Sequence, residues 1–183
     1  MHFRLDVKKV VQAIGVLFRE DGVDRMAYMR VLKLLYIADR ITLAETGRPI
    51  TGGPVYAMKR GPVLTEVYDL IQGQHIEMPV WDTFFQKQRY SLQLRGGHPD
   101  VGALSKYEIK KLQEVAALYA DCDEFQLSEE THKFPEWVNN DPGSSTKRIP
   151  LQEILEAVGR GDEAAAIVQE AKELTCIHDL LGK

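Results

Sequence analysis

From Asp24 to about Thr46 the chain reads DRMAYMRVLKLLYIADRITLAET, with apolar side chains at helical spacing on two opposite faces. At ~100° per residue Tyr28, Leu32, Leu35 and Leu43 share one face, and Leu34, Ile37 and Ile41 fall on the other. A helix that is apolar nearly all round cannot lie on a surface, so the remaining elements have to be laid around it. Gly47 stands where a C′ glycine ends such a helix, and Arg48-Pro49 cannot prolong it, because the residue before a proline is pushed out of the helical region. Asp39 lies in the first apolar stripe. A carboxylate there needs donors or a cation. Arg48 and the free backbone N–H groups of the following turn are the structural candidates, and a binding role is the alternative.

The next stretch, RPITGGPVYAMKRGPV from Arg48 to Val63, packs three glycines and three prolines around a short strand, Val55 to Lys59. Gly52-Gly53-Pro54 and Arg60-Gly61-Pro62 read as turns, with Pro62 able to serve as N1 of a helix over Val63 to Gln72. Sharp reversals at both ends let a strand leave the central helix, add a rung to a sheet and re-enter a helix, and glycine and proline supply them. A hairpin over Thr83 to Lys87 and Arg89 to Leu94 completes a three-stranded sheet with Val55 to Lys59.

Helices account for most of the rest. Leu5 to Arg19 is amphipathic and stops near Gly22. Ser105 to Glu108 is a capping box, with Leu104 and Ile109 as its staple, and predicts a helix to about Ala120. Leu127 to Lys133 makes a short helix, and the polar string Asn139 to Lys147 is a loop. Pro150 opens a helix that ends at Gly159. Asp162 caps the last, which carries Ile167, Ala171, Leu174, His178 and Leu181 on one side, with His178 expected in the core. The fold class is mainly α (α+β): a helical domain around a central apolar helix, with a small two- or three-stranded antiparallel sheet.

With 183 residues and 44% hydrophobic content, one domain over 1–183 is the expectation. The formal net charge of −4 does not provide the positive field that nonspecific nucleic-acid binding uses. Cys122 and Cys176 form no CxxC, and charges interrupt every apolar run, so a soluble cytoplasmic protein is expected. The glycines run into Pro54 rather than Gly-Lys-Ser/Thr, the five histidines are scattered, and no serine sits in a GxSxG elbow. These patterns predict no catalytic residue, metal site or cofactor.

Lys33-Leu34-Leu35-Tyr36-Ile37-Ala38-Asp39, then Gly47 to Gly52, then Tyr56-Ala57-Met58-Lys59-Arg60-Gly61-Pro62-Val63, resemble the Panacea domain, the family of SocA-like antitoxins of bacterial and phage toxin–antitoxin loci. Leu104-Ser105, Leu127-Ser128, Thr131-His132 and Pro135-x-Trp137 match later landmarks in order, so the resemblance spans roughly Asp24 to Val138. Residues 150–183 match only loosely and read as C-terminal helices, either core or a partner-specific addition. Gly53-Pro54-Val55 and Leu64-Thr65 depart from the family pattern. The resemblance implies an antitoxin that neutralises a cognate protein toxin by direct binding, with no enzymatic chemistry, and a cellular protease as a second partner. Membrane and nucleic-acid partners are not expected, and the oligomeric state is left open.

Carried over as structural or partner-facing are Lys33, Tyr36, Asp39, Arg48, Lys59, Gly61, Pro62, His132 and Trp137. Arg60, Tyr90, Phe125 and Trp137 are the contact candidates, Trp137 being equally readable as a core residue packed with His132 and Phe134. Two other classes stand beside this one. A DNA-binding regulator of its own locus would use Lys8-Lys9 or Lys110-Lys111, and an enzyme with Asp39 and His132 as acid and base would need both within reach in an open cleft.

Overall fold

A computed structural model describes residues 1–181. The chain enters through α1 (Val7–Asp21), where the Asp6 side chain accepts from the Lys9 N–H and Gly22 closes the helix in the left-handed region. Arg25–Ala27, expected as the start of the central helix, is a strand, β1, paired antiparallel with residues 91–93. The Tyr28 N–H is committed to the Tyr90 carbonyl at 2.9 Å, so α2 (Tyr28–Thr46) starts only there. Helix α2 is buried without a break from Arg30 to Asp39, as an all-round apolar helix requires. Leu34 and Leu35, both fully buried, each contribute roughly 1.5–3 kcal/mol.

After Gly47 the chain forms β2 (Val55–Met58), turns at Lys59-Arg60 and returns as β3 (Gly61–Leu64). Pro62 is therefore a strand residue and not a helix N1; α3 (Thr65–Gln72) begins three residues later than the proline suggested. Strand β3 is an edge of its sheet, where a missing N–H is tolerated. Next come α4 (Met78–Asp82) and a hairpin of β4 (Phe85–Gln88) and β5 (Ser91–Leu94), turning at Arg89-Tyr90 with Arg89 at φ 55. That hairpin pairs with β1 and not with β2.

Ser105 and Glu108 form the predicted capping box at α5 (Lys106–Leu118). A second box, Asp123 with Gln126, opens α6 (Glu124–His132). Phe134 leads into the one-turn α7 (Pro135–Val138). The polar string read as a loop ends in β6 (Lys147–Ile149), which pairs with β2 through Val55↔Ile149 and Ala57↔Lys147. Two three-stranded antiparallel sheets thus stand where one was expected, β1-β5-β4 and β3-β2-β6 in lateral order.

The chain finishes with α8 (Leu151–Ala157) and α9 (Gly161–Leu181). Helix α9 opens at Gly161, ahead of the expected Asp162 cap. Ile167 and Ala171 are buried, but from Leu174 onward the apolar stripe is exposed, and His178 is exposed rather than in the core. No helix among the described residues is long and apolar enough to cross a membrane.

Candidate functional site

Asp39 answers the question its position in an apolar stripe raises. Its side chain, buried to 3% exposure, accepts from the Ile50 N–H and Thr51 N–H at 2.9 Å, the Gly52 N–H at 3.3 Å and the Thr51 hydroxyl at 2.5 Å. These are the backbone donors of the turn. Arg48, the other candidate partner, reaches Glu170 of α9 instead. Burial pushes the Asp39 carboxyl up, to about 6, while the Thr51 hydroxyl and the backbone donors pull it back down. An amino-terminal strap seals the turn from outside: the Gly53 N–H donates to the Phe3 carbonyl at 2.8 Å and the Asp6 N–H to the Thr51 carbonyl at 3.0 Å. A sealed carboxylate removes the reading that pairs Asp39 with His132 as acid and base in an open cleft.

Lys33, Tyr36 and Arg40 form a polar stripe one helical turn apart along α2, facing α6 and α7. The Tyr36 hydroxyl and the Arg40 guanidinium both donate to Glu136 Oε1 at 2.7 Å, and Glu136 is fully buried. Arg40 also lies over the Phe134 ring at 4.2 Å. Burial and the neighbouring Glu136 carboxylate push the Tyr36 phenol well above its usual range. Glu136 escaped the sequence reading, although it occupies the open position between Pro135 and Trp137; its signal was an acidic side chain in a one-turn helix opposite an Arg40 one turn below Tyr36.

Lys33 is 1% exposed, and its ammonium donates to the Pro62 carbonyl at 2.8 Å. Burial pushes it down to about 7 from 10.5. Below about pH 7 folded and unfolded chains both carry this proton; between about 7 and 10.5 only the unfolded chain does, so the Lys33 contribution to stability rises with pH across that window. At pH 6 Lys33→Met is expected to raise the unfolding free energy by roughly 1–3 kcal/mol, net of the Pro62 carbonyl it leaves bare. Urea unfolding at pH 6 and pH 9 checks this: the variant should lack the wild-type rise, and equal rises would sink the idea.

The Pro62 carbonyl is one of three alternate acceptors on the β2–β3 hairpin that side chains of three different helices hold. Trp137 Nε1 of α7 donates to the Met58 carbonyl at 3.1 Å, Ser128 Oγ of α6 to the Arg60 carbonyl at 2.8 Å, and Lys33 of α2 to Pro62. Gly61 between them has φ 97, and a Cβ there would overlap the Thr131 hydroxyl and lie 2.9 Å from Lys33 Nζ. His132 stacks on Trp137 with ring centroids 4.1 Å apart, and burial lowers its pKa. Trp137 is accordingly half-buried in the packing with His132, while Lys59 and Arg60 at the tip are exposed.

Of the contact candidates, Arg60 stacks its guanidinium over the Phe125 ring at 5.2 Å, with Phe125 itself 53% exposed. Tyr90 is 80% exposed at the other hairpin's turn, and its carbonyl holds the Tyr28 N–H. Tyr28 packs edge-on against Tyr68 with ring centroids 6.4 Å apart; burial and the Tyr68 and Tyr90 phenols push the Tyr28 phenol up while the Arg60 charge pulls it down. Three of the four lysines of the DNA-binding reading are engaged by carboxylates: Lys9 meets Glu108 at 2.6 Å, Lys111 meets Glu114 at 2.9 Å and Glu45 at 3.0 Å, and Lys110 meets Glu114 at 3.6 Å. Lys33, Lys59, Gly61, Pro62, His132 and Trp137 are brought together at the hairpin. Asp39 and Arg48 lie away from it, at the turn after α2.

Residues 31–138, more than half of the chain, match the family described as antitoxin SocA-like, Panacea domain. Neither the curated proteins nor the solved structures gave a match.

Proposed function

The chain belongs to the SocA-like antitoxin family of Panacea-domain proteins, and from that premise we propose that it neutralises a cognate protein toxin by direct binding, through the β2–β3 hairpin tip and the exposed aromatic side chains beside it. The observation that carries this reading is the pinned tip. Three carbonyls held by three helices fix the turn before any partner arrives, so presenting Lys59 and Arg60 loses little conformational entropy on binding. Arginine and aromatic side chains are the residue types that dominate interface energetics, and the Arg60–Phe125 stack offers both at one point. A planar guanidinium can hold a carboxylate or backbone carbonyls of the partner. Neutralisation on this reading needs no chemistry and no cofactor, and the whole of 1–183 acts as one module in the cytoplasm.

Co-expression with the product of the adjacent open reading frame, scoring growth and co-purification together, tests it. The wild-type chain is expected to restore growth and co-purify in a fixed ratio. Arg60→Glu is expected to weaken binding by roughly tenfold or more while leaving thermal unfolding within about 2 °C, since the side chain is exposed. Growth restored without any complex would move repression or another route ahead of this one.

A further inference from the structure

A groove of about 600 Å³ runs between the amino-terminal strap, α1, α4 and the far end of α9. Most of its lining comes from the first 12 residues and from α9, outside the family-matched 31–138. Val7 and Val11 of α1, both buried, lie in its floor, and Leu174 and His178 of α9 stand one turn apart on its exposed wall. Phe3 and Phe84 add aromatic surface, and Val80, 43% exposed, marks the α4 edge. The exposed apolar side chains of α9 continue past the groove, with Ile177 51% and Leu181 81% exposed. Contiguous apolar exposure rimmed by polar groups marks an interaction surface.

Charge decides between occupants. Asp6, Glu77 and Asp100 line the groove against Lys8 and Arg4, and Arg4 is 4.0 Å from Asp179. Carboxylates thus outnumber cations on the rim, on a chain of net charge −4. A second copy docked about a two-fold axis would bring acidic rim to acidic rim, and an anionic lipid surface would be repelled likewise. Leu174, His178 and Leu181, spaced one turn apart on an exposed helix face, form a ridge of the kind that a partner helix packs against.

We infer that this groove seats an amphipathic helix of the toxin whose apolar face is flanked by lysine or arginine, and that the segments outside the family-matched core thereby select the partner. The inference rests on the antitoxin reading above; it adds the second contact surface and the chemistry of what fills it. The hairpin tip is built from the family-matched segment and the groove largely from flanking residues, so the two surfaces divide binding into a shared part and a chain-specific part.

The test uses the full chain and the purified product of the adjacent open reading frame, with affinities measured at low and physiological salt. Leu174→Arg and Val80→Arg change partly exposed positions, so their thermal midpoints should match wild type, and each is expected to lower affinity by roughly tenfold or more. Glu77→Lys is expected to flatten the salt dependence. A wild-type chain that neither binds nor protects overturns the antitoxin reading and this inference together. Binding by wild type that Leu174→Arg and Val80→Arg leave within about twofold overturns the groove alone. A free wild-type chain that is dimeric by light scattering, and that Leu174→Arg makes monomeric, identifies a second copy as the occupant and also overturns it.

Discussion

Asp39→Asn is expected to lower the unfolding free energy by about 3–5 kcal/mol at pH 7.5, a large part of the ~5–15 kcal/mol that holds an ordinary domain. The carboxylate takes four hydrogen bonds, three from consecutive backbone N–H groups, and an amide offers one acceptor oxygen while turning its NH₂ toward donors. Two or more buried donors are then left unpaired, at ~1–3 kcal/mol each. The loss stays below the sum of four broken bonds because burial already disfavours the ionised form, as the upward push to about 6 records. The pH dependence has a definite sign. With a folded value near 6 and an ordinary value of 3.8, the folded chain holds this proton more tightly, so the Asp39 contribution falls as pH rises from about 4 to about 6. The variant should lose that fall. A change under about 1 kcal/mol in urea unfolding would mean that Asp39 does not hold the turn.

Gly61→Ala is the second large effect, about 3 kcal/mol or more, together with loss of the toxin binding proposed for the hairpin tip. A φ of 97 lies where an alanine is strained by ~1–3 kcal/mol before any contact is counted. The added methyl would also overlap the hydroxyl of Thr131, which has no exposed surface through which to yield, and press on Lys33 Nζ. Relief requires the hairpin to lift from α6, which withdraws the carbonyl of Arg60 from Ser128. The double variant Gly61→Ala with Thr131→Ala separates the two causes: part of the stability should return and the φ strain should remain. Full additivity of the two substitutions would show that the contact carries none of the loss.

What the sequence made legible was local. The all-round apolar run of α2, the Gly47 stop and the Ser105–Glu108 box each draw on residues within a few positions of one another, and each appears where expected. Asp39 was readable as needing donors or a cation, and of the two structural candidates the backbone of the turn holds it while Arg48 goes to Glu170. The misplaced pieces depended on distant partners. Strands β1 and β6 have three residues each, and pair with residues 91–93 and 55–57, so nothing in their own composition marks them as strands. Pro62 looked like a helix opener because its edge-strand setting is set by β2 beside it. His178 sat on a face that periodicity defined correctly, but periodicity does not say how far that face is covered, and past Ala171 its side chains are exposed. Within the hairpin site the motif residues, Ser128 among them, were visible, while the bond from Ser128 to the Arg60 carbonyl spans 68 positions and that from Tyr36 to Glu136 spans 100, so both arise only through the fold.

The donors that hold the hairpin tip come from 29, 68 and 79 residues away along the chain. Contacts of such separation form late, after the loops between them have closed. A growing chain that has not yet yielded Trp137 has the two strands and the donors of Lys33 and Ser128 but lacks the third, so the tip is fully pinned only once α7 is made and docked. For the same reason, an event that opens α6 or α7 frees the turn while Lys59 and Arg60 stay untouched, and the first of the three remote helices to let go sets how long the tip keeps its shape.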